Sequence, residues 1–147
     1  MQAKKILVAT DFSPSSEAAL ELAASLARDS GAKLLIVHVE IIPYTASGSD
    51  YLYAIPEPRT AELQEKLSKV FPKDRSIPVE HMLLTGDPAD AVIQTAESEN
   101  ADFIVIGTHG RQGITRLLMG SVAEAIVRAA PCPVLTVKQS AKQAAAT

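Results

Sequence analysis

Five short apolar runs rich in β-branched residues alternate along the chain with longer stretches of helical period. They are KILVA (Lys5 to Ala9), KLLIVHV (Lys33 to Val39), VEHMLL (Val79 to Leu84), DFIVIG (Asp102 to Gly107) and PVLTV (Pro133 to Val137). Such alternation predicts βαβ units and a mostly parallel sheet. The first, second and fourth runs are almost continuously apolar, as strands covered on both faces by helices must be. The third carries Glu80 among apolar neighbours and reads as an edge strand. The expected fold is therefore α/β, a single domain built on an open parallel five-stranded sheet with helices on both faces.

The helices are punctuated. Ser13-Pro14 supplies an N-cap and a first-turn proline. Ala19, Leu22, Ala23, Leu26 and Ala27 then recur at helical spacing until Gly31, which predicts a helix from Pro14 to Ser30. Asp87-Pro88 repeats the device before a second helix, and a further helix is expected near Thr60 to Val70. Ser121-Val122-Ala123-Glu124 has the S-x-x-E spacing of a capping box and should open a last helix that Pro131 stops. Between Ile41 and Pro58 lie three prolines and all three tyrosines without helical period. Such a stretch is either a lid or a flexible insertion. Beyond Lys138 the tail lacks an apolar pattern and is expected to be disordered, leaving residues 1–138 as the domain and 139–147 as the tail.

Composition narrows the partners. The 147 residues hold 14 basic and 17 acidic side chains, a formal net charge of −3, with no dense basic cluster. Nucleic acid is not an expected partner. The apolar run after Lys4-Lys5 is too short for a signal core or a membrane span, so a cytoplasmic protein that is not membrane-embedded is expected. Cys132 is the single cysteine, which excludes an intramolecular disulfide; between two prolines it reads as a buried small residue in preference to a reactive thiol.

In a parallel sheet, ligands bind beyond the carboxyl ends of the strands where strand order reverses. If the first and fourth strands are neighbours, Asp11 and the stretch GTHGRQGITRLLMGS (Gly107 to Ser121) share that crevice. Gly107, Gly110 and Gly113 lack Cβ atoms and can let several N–H groups converge on one anion. Gly120-Ser121 adds the positive end of the last helix. Neither a lysine-bearing phosphate loop nor G-x-G-x-x-G is present, so a P-loop hydrolase or a common dinucleotide domain is disfavoured. Some of these glycines could instead serve close helix packing. Asp11 suits ribose hydroxyls or a bridging divalent ion, with a helix-capping role beside Ser13 as the alternative. His109 reads as a loop-packing residue in preference to a base or metal ligand, His38 and His81 as core or edge residues, and Leu117 to Met119 as an apolar anchor for the loop.

Gly107-x2-Gly110-x9-Gly120-Ser121 resembles the G-x2-G-x9-G-[ST] signature of the ATP-binding branch of the universal stress protein family. KKILVATDFS, His38-Val39, Gly86-Asp87-Pro88 and PCPVLTV resemble family features as well, so the likeness spans nearly the whole chain. It implies a Rossmann-like fold of the adenine nucleotide alpha hydrolase type, with ATP as ligand and Mg²⁺ or Mn²⁺ accompanying it. Residue by residue, it implies that Gly107, Gly110, Gly120 and Ser121 hold phosphates, that Arg111, Gln112 and Gly113 wrap them, and that Thr108, His109 and Val122 belong to the binding site. Ala9 and Val39 would present backbone to the adenine and ribose, Thr10 would belong to the same binding site, and Asp11 would meet the ribose or the metal. It further implies a homodimer through Pro133 to Val137, or a higher oligomer, and a regulated partner such as a membrane transporter or a kinase. The expected function is a nucleotide-controlled stress regulator. The alternatives are a slow ATPase or nucleotidyl-transferring enzyme, or a scaffold that only dimerises. No general base is visible, so turnover is expected to be slow at most.

Overall fold

In the computed structural model, which describes residues 2–41, 59–108 and 120–138, all five apolar runs become strands. The order along the chain is β1 (Lys5–Ala9), α1 (Pro14–Ser30), β2 (Lys33–Glu40), α2 (Thr60–Ser68), β3 (Val79–Thr85), α3 (Pro88–Ser98), β4 (Phe103–Gly107), α4 (Ser121–Ala129) and β5 (Val134–Val137). The strands pair in parallel throughout, in the order β3-β2-β1-β4-β5. Leu7 at the centre of β1 lies opposite Leu35 of β2 and Ile104 of β4. This is the expected α/β sheet, with β3 at one edge as its mixed pattern implied.

Strand alternation then sorts the core into two layers. Ile6, Val8, Leu34, Ile36 and Val105 face α1 and α2, against Ala19, Ala23, Ala27 and Leu67. Leu7, Leu35, Val37, Ile104 and Ile106 face α3 and α4, against Val92, Ala96, Ala123 and Ile126. The large side chains among them are essentially inaccessible to water, each worth about 1.5–3 kcal/mol on burial. The alanine stripe of α1 lets that helix lie close to the sheet.

Two helix starts form as their sequences dictate. Ser13 Oγ accepts from Ser16 N–H, and the Asp87 side chain accepts from Asp90 N–H, each ahead of a first-turn proline. Gly31 closes α1 at φ 74°, the left-handed conformation glycine adopts without strain. The capping box predicted at Ser121 does not form. Gly120, with extended backbone, is the N-cap of α4 and supplies no side chain, while Ser121 is already helical and Glu124 pairs with Arg128 at 2.8 Å. S-x-x-E spacing leaves the helix phase open by one residue, and the extended backbone of Gly120 decides it. Pro131 ends α4 through its predecessor, since Ala130 is pushed to extended backbone. The lid or insertion at Ile41 to Pro58 falls, after Ile41, outside the described residues, as does the tail 139–147.

Candidate functional site

From β1 the chain moves outward through β2 to β3, then crosses back to place β4 on the other side of β1. The connections leaving β1 and β4 therefore diverge, and a crevice opens beyond their carboxyl ends. Backbone alternation aims polar groups at it. Thr10 N–H donates to Val37 C=O at 2.8 Å, whereas Glu40 C=O accepts from Gly86 N–H on the β3 side. Odd-numbered residues of β2 thus face β1, and the backbone groups of Val39, two residues beyond Val37, face the space past the end of β1. By the same rule Lys5 C=O accepts from Asp102 N–H toward β4, and the backbone of Ala9 faces β4 as well.

The turn from β1 into α1 is a network of short polar side chains. Thr10, Ser13, Ser15 and Ser16 are all buried. Asp11 Oδ1 accepts from Ser13 N–H at 3.0 Å and from Ser16 Oγ at 3.0 Å. Thr10 Oγ1 accepts from Phe12 N–H at 3.0 Å and donates to Ser16 Oγ at 3.2 Å. The carbonyl of Thr10 is taken by His38 Nδ1 at 2.7 Å, so Thr10 engages its polar groups within the fold. Phe12 sits at φ 66°, a conformation that strains a bulky residue by about 1–3 kcal/mol. Its ring is held there between His38, 4.5 Å between centroids, and Lys66 Nζ, 4.4 Å from the ring centre. Capping and ligand roles for Asp11 are thereby compatible: Oδ1 serves the turn, while Oδ2 has no partner among the described residues.

At the end of β4, a Cβ on Gly107 would collide with Ser15 Oγ and approach the Ser15 carbonyl oxygen to 2.8 Å. This glycine is needed for α1 to pass over the strand. Next to it, buried Thr108 donates N–H to Val137 C=O at 3.1 Å and accepts from Gly120 N–H at 3.0 Å. The Thr108 to Gly120 bond holds the two ends of the glycine stretch side by side, at the same end of the sheet as Asp11. Gly120 has no such crowding; the nearest atom to an added Cβ is Thr108 O at 3.6 Å. Gly120 supplies no capping side chain, and the first-turn N–H groups of α4 at Ser121 and half-exposed Val122 have no side-chain cap among the described residues. His109, Gly110, Arg111, Gln112 and Gly113, with Leu117 to Met119, lie outside the described residues.

Three further sequence readings resolve here. The His38 and His81 rings each bond a backbone carbonyl, Thr10 O and Val70 O, both at 2.7 Å. They are tied into the fold as expected. Cys132 is half-buried where full burial was expected, and burial, then the charge of Asp102, pushes its thiol pKa up, away from the reactive thiolate. Among the described residues no group of three His, Cys, Asp or Glu could hold a metal, and no helix is long and apolar enough to cross a membrane. Sequence reasoning passed over Ser15, Ser16 and Phe12. The spacing D-x-S-x-x-S could have signalled the first part of this network, because it joins an aspartate to a cap and to the third helical residue.

Comparison with known proteins places this geometry. The model of the universal stress protein family matches residues 2–138. Universal stress protein MJ0531 of Methanocaldococcus jannaschii is 37% identical over 146 residues, spanning 95% of this chain and 85% of the relative. A universal stress protein solved in complex with cAMP is 28% identical with a TM-score of 0.64, covering 95% of this chain and all of that one. A family member from Arabidopsis thaliana solved with AMP bound is 28% identical with a TM-score of 0.61, covering 95% and 94%. With the fold, the switch point and these matches in agreement, the chain belongs to the universal stress protein family.

Proposed function

We propose that the crevice between β1 and β4 binds an adenine nucleotide, with ATP as the ligand, and that occupancy regulates assembly or the binding of a partner protein. The observation that carries this reading is the meeting of three features at one end of the sheet. They are the open carboxylate oxygen of Asp11, the outward backbone of Val39 and the uncapped start of α4 at Gly120 and Ser121. Each suits a different part of a nucleotide. Strand backbone reads the adenine edge, a carboxylate oxygen accepts from a ribose hydroxyl, and helical N–H groups with a positive dipole end hold phosphate. Similar solved proteins hold cAMP and AMP. The glycine signature extending through residues 110–113 supports the longer phosphate chain of ATP.

Magnesium or manganese would be held chiefly by the phosphates, with Asp11 as a single protein carboxylate, as such ions accept. The same scarcity of acidic and basic groups argues against fast hydrolysis, which needs a residue to position water and cations around the transferring phosphoryl group. The role is regulatory, and the cytoplasm is its setting. The free edge of β5 is the surface for pairing with a second copy, and a transporter or kinase is the class of protein to be controlled. Isothermal titration with ATP and Mg²⁺ tests the site: saturable binding at or below millimolar nucleotide is expected, and its absence would defeat the reading. Mass spectrometry of nucleotide released from freshly purified, heat-denatured protein identifies the physiological ligand.

A further inference from the structure

The network beneath Asp11 has a centre that is not the aspartate. Ser16 Oγ accepts from Thr10 Oγ1 at 3.2 Å and lies 3.3 Å from Ser13 Oγ. Its own single proton has two acceptors within reach, Asp11 Oδ1 at 3.0 Å and Ser13 O at 2.9 Å. An anion is the stronger acceptor, so the carboxylate draws that proton when it is ionised. Ser13 stands at the N-cap of α1 and Ser16 at its third helical position. In a capping box the third helical residue returns a carboxylate to the cap N–H. Here the carboxylate comes from before the cap: Asp11 Oδ1 takes the Ser13 N–H, and Ser16 supplies the hydroxyl that fixes it.

We propose that Ser16 is a positioning residue for the nucleotide site: by holding Asp11 Oδ1 it turns Oδ2 outward as the acceptor for a ribose hydroxyl, and so sets preference for ribose over deoxyribose. This rests on the adenine-nucleotide reading and assigns a residue that does not itself touch the ligand. Two observations keep Ser16 in that role. It is buried and cannot rotate into water, and the turn above it is pinned by Phe12 between His38 and Lys66, so the carboxylate has few other orientations. The second acceptor, Ser13 O, gives the hydroxyl a place to go when a ligand draws the carboxylate outward. The contact is therefore adjustable.

The test is titration of the wild type, Ser16→Ala, Asp11→Asn and the double variant with ATP, 2′-deoxy-ATP and 3′-deoxy-ATP. Alanine adds no bulk and favours helix, so Ser16→Ala should fold, and a thermal melt verifies it. The wild type should prefer ATP over at least one deoxy form. Ser16→Ala should lower ATP affinity about tenfold while leaving affinity for the deoxy form that the wild type disfavours nearly unchanged, the span expected for loss of a hydrogen bond to a charged group. The double variant should match Asp11→Asn alone, because Ser16 acts only through that carboxylate. Equal loss for ATP and the disfavoured deoxy form, or additive effects in the double variant, would reduce Ser16 to a structural residue. Nucleotide binding by the wild type without ribose preference would overturn the proposal while the nucleotide site stands. No binding at all would overturn both.

Discussion

The two ends of the sheet carry aspartates in opposite circumstances. At the amino end, Asp102 Oδ2 accepts from the N–H groups of Lys4 and Lys5 at 2.7 and 3.0 Å, joining the start of β4 to the start of β1. Around it the charges are matched, with Lys5 of β1 beside Glu99 at the end of α3 and Lys33 of β2 beside Glu80 of β3. Beyond the carboxyl ends of β1 and β4 there are hydroxyls, close-packed glycine and the Asp11 carboxylate, whose Oδ2 has no partner among the described residues. Asp102 spends its bonded oxygen on joining two strands; beyond β1 and β4, one Asp11 oxygen and the first-turn N–H groups of α4 lack partners among the described residues. Buried or half-buried polar atoms left open carry a cost, and such an arrangement is expected where a ligand supplies the missing partners. The difference separates an aspartate that holds the fold from one proposed to bind, although the residue type is the same.

The largest effect that would break this division comes from Gly107. It belongs to the ligand signature, yet its missing Cβ is needed for α1 to pass the end of β4, with the Ser15 carbonyl 2.8 Å from where that atom would stand. Backbone cannot yield as a flexible side chain would. Gly107→Val should destabilise the protein by about 2–3 kcal/mol, read as a fall in denaturant midpoint with unchanged slope. A variant as stable as the wild type would return this glycine to a purely ligand role.

Asp102→Ala comes next. Hydrogen bonds from Lys4 and Lys5 N–H hold its carboxyl pKa below the ordinary value of 3.8. A pKa depressed by folding adds stability that is present above the unfolded value and lost as pH falls through the folded one. The partly exposed site limits the loss in the variant to about 1 kcal/mol near neutral pH. The gap between variant and wild type should close below roughly pH 4, and nucleotide affinity should not change. A loss that persisted unchanged into acid would mean that the charge of Asp102 is not what the bonds rely on.

How far these roles were legible in the sequence depends on the distance over which each is decided. The strands and α1 were placed almost to the residue, because periodicity, Ser13-Pro14 and Gly31 are local signals. The phase of α4 was read one residue late, since Gly120 takes the cap by backbone conformation alone and offers no side-chain pattern. Close helix packing was open to any of the glycines, but that Gly107 is the one it applies to was not readable: Ser15 is brought to it by the packing of α1 on the sheet, across most of the chain. Asp11 lay between. Its two candidate roles were both visible, but that the turn occupies only one oxygen of the carboxylate, leaving the other available for the proposed role, follows only from where Ser16 sits in the first turn of α1.

The smallest change in stability, and the sharpest test of the open end, is expected from Gly120→Ala. The backbone there, φ −62° and ψ 156°, suits any residue, and an added Cβ meets only Thr108 O at ordinary contact distance. Glycine is the better N-cap by a modest margin, while alanine reduces the freedom of the unfolded chain, so the two effects offset to within about 1 kcal/mol. Nothing among the described residues therefore requires glycine at this position. A ligand does, if its phosphates are to approach the first-turn N–H groups of α4 without a methyl group beside them. Gly120→Ala should thus melt within a few degrees of the wild type and lose at least tenfold in ATP affinity. Full affinity in the alanine variant would place the phosphates elsewhere and leave the uncapped turn of α4 without the role that its position at the switch point suggests.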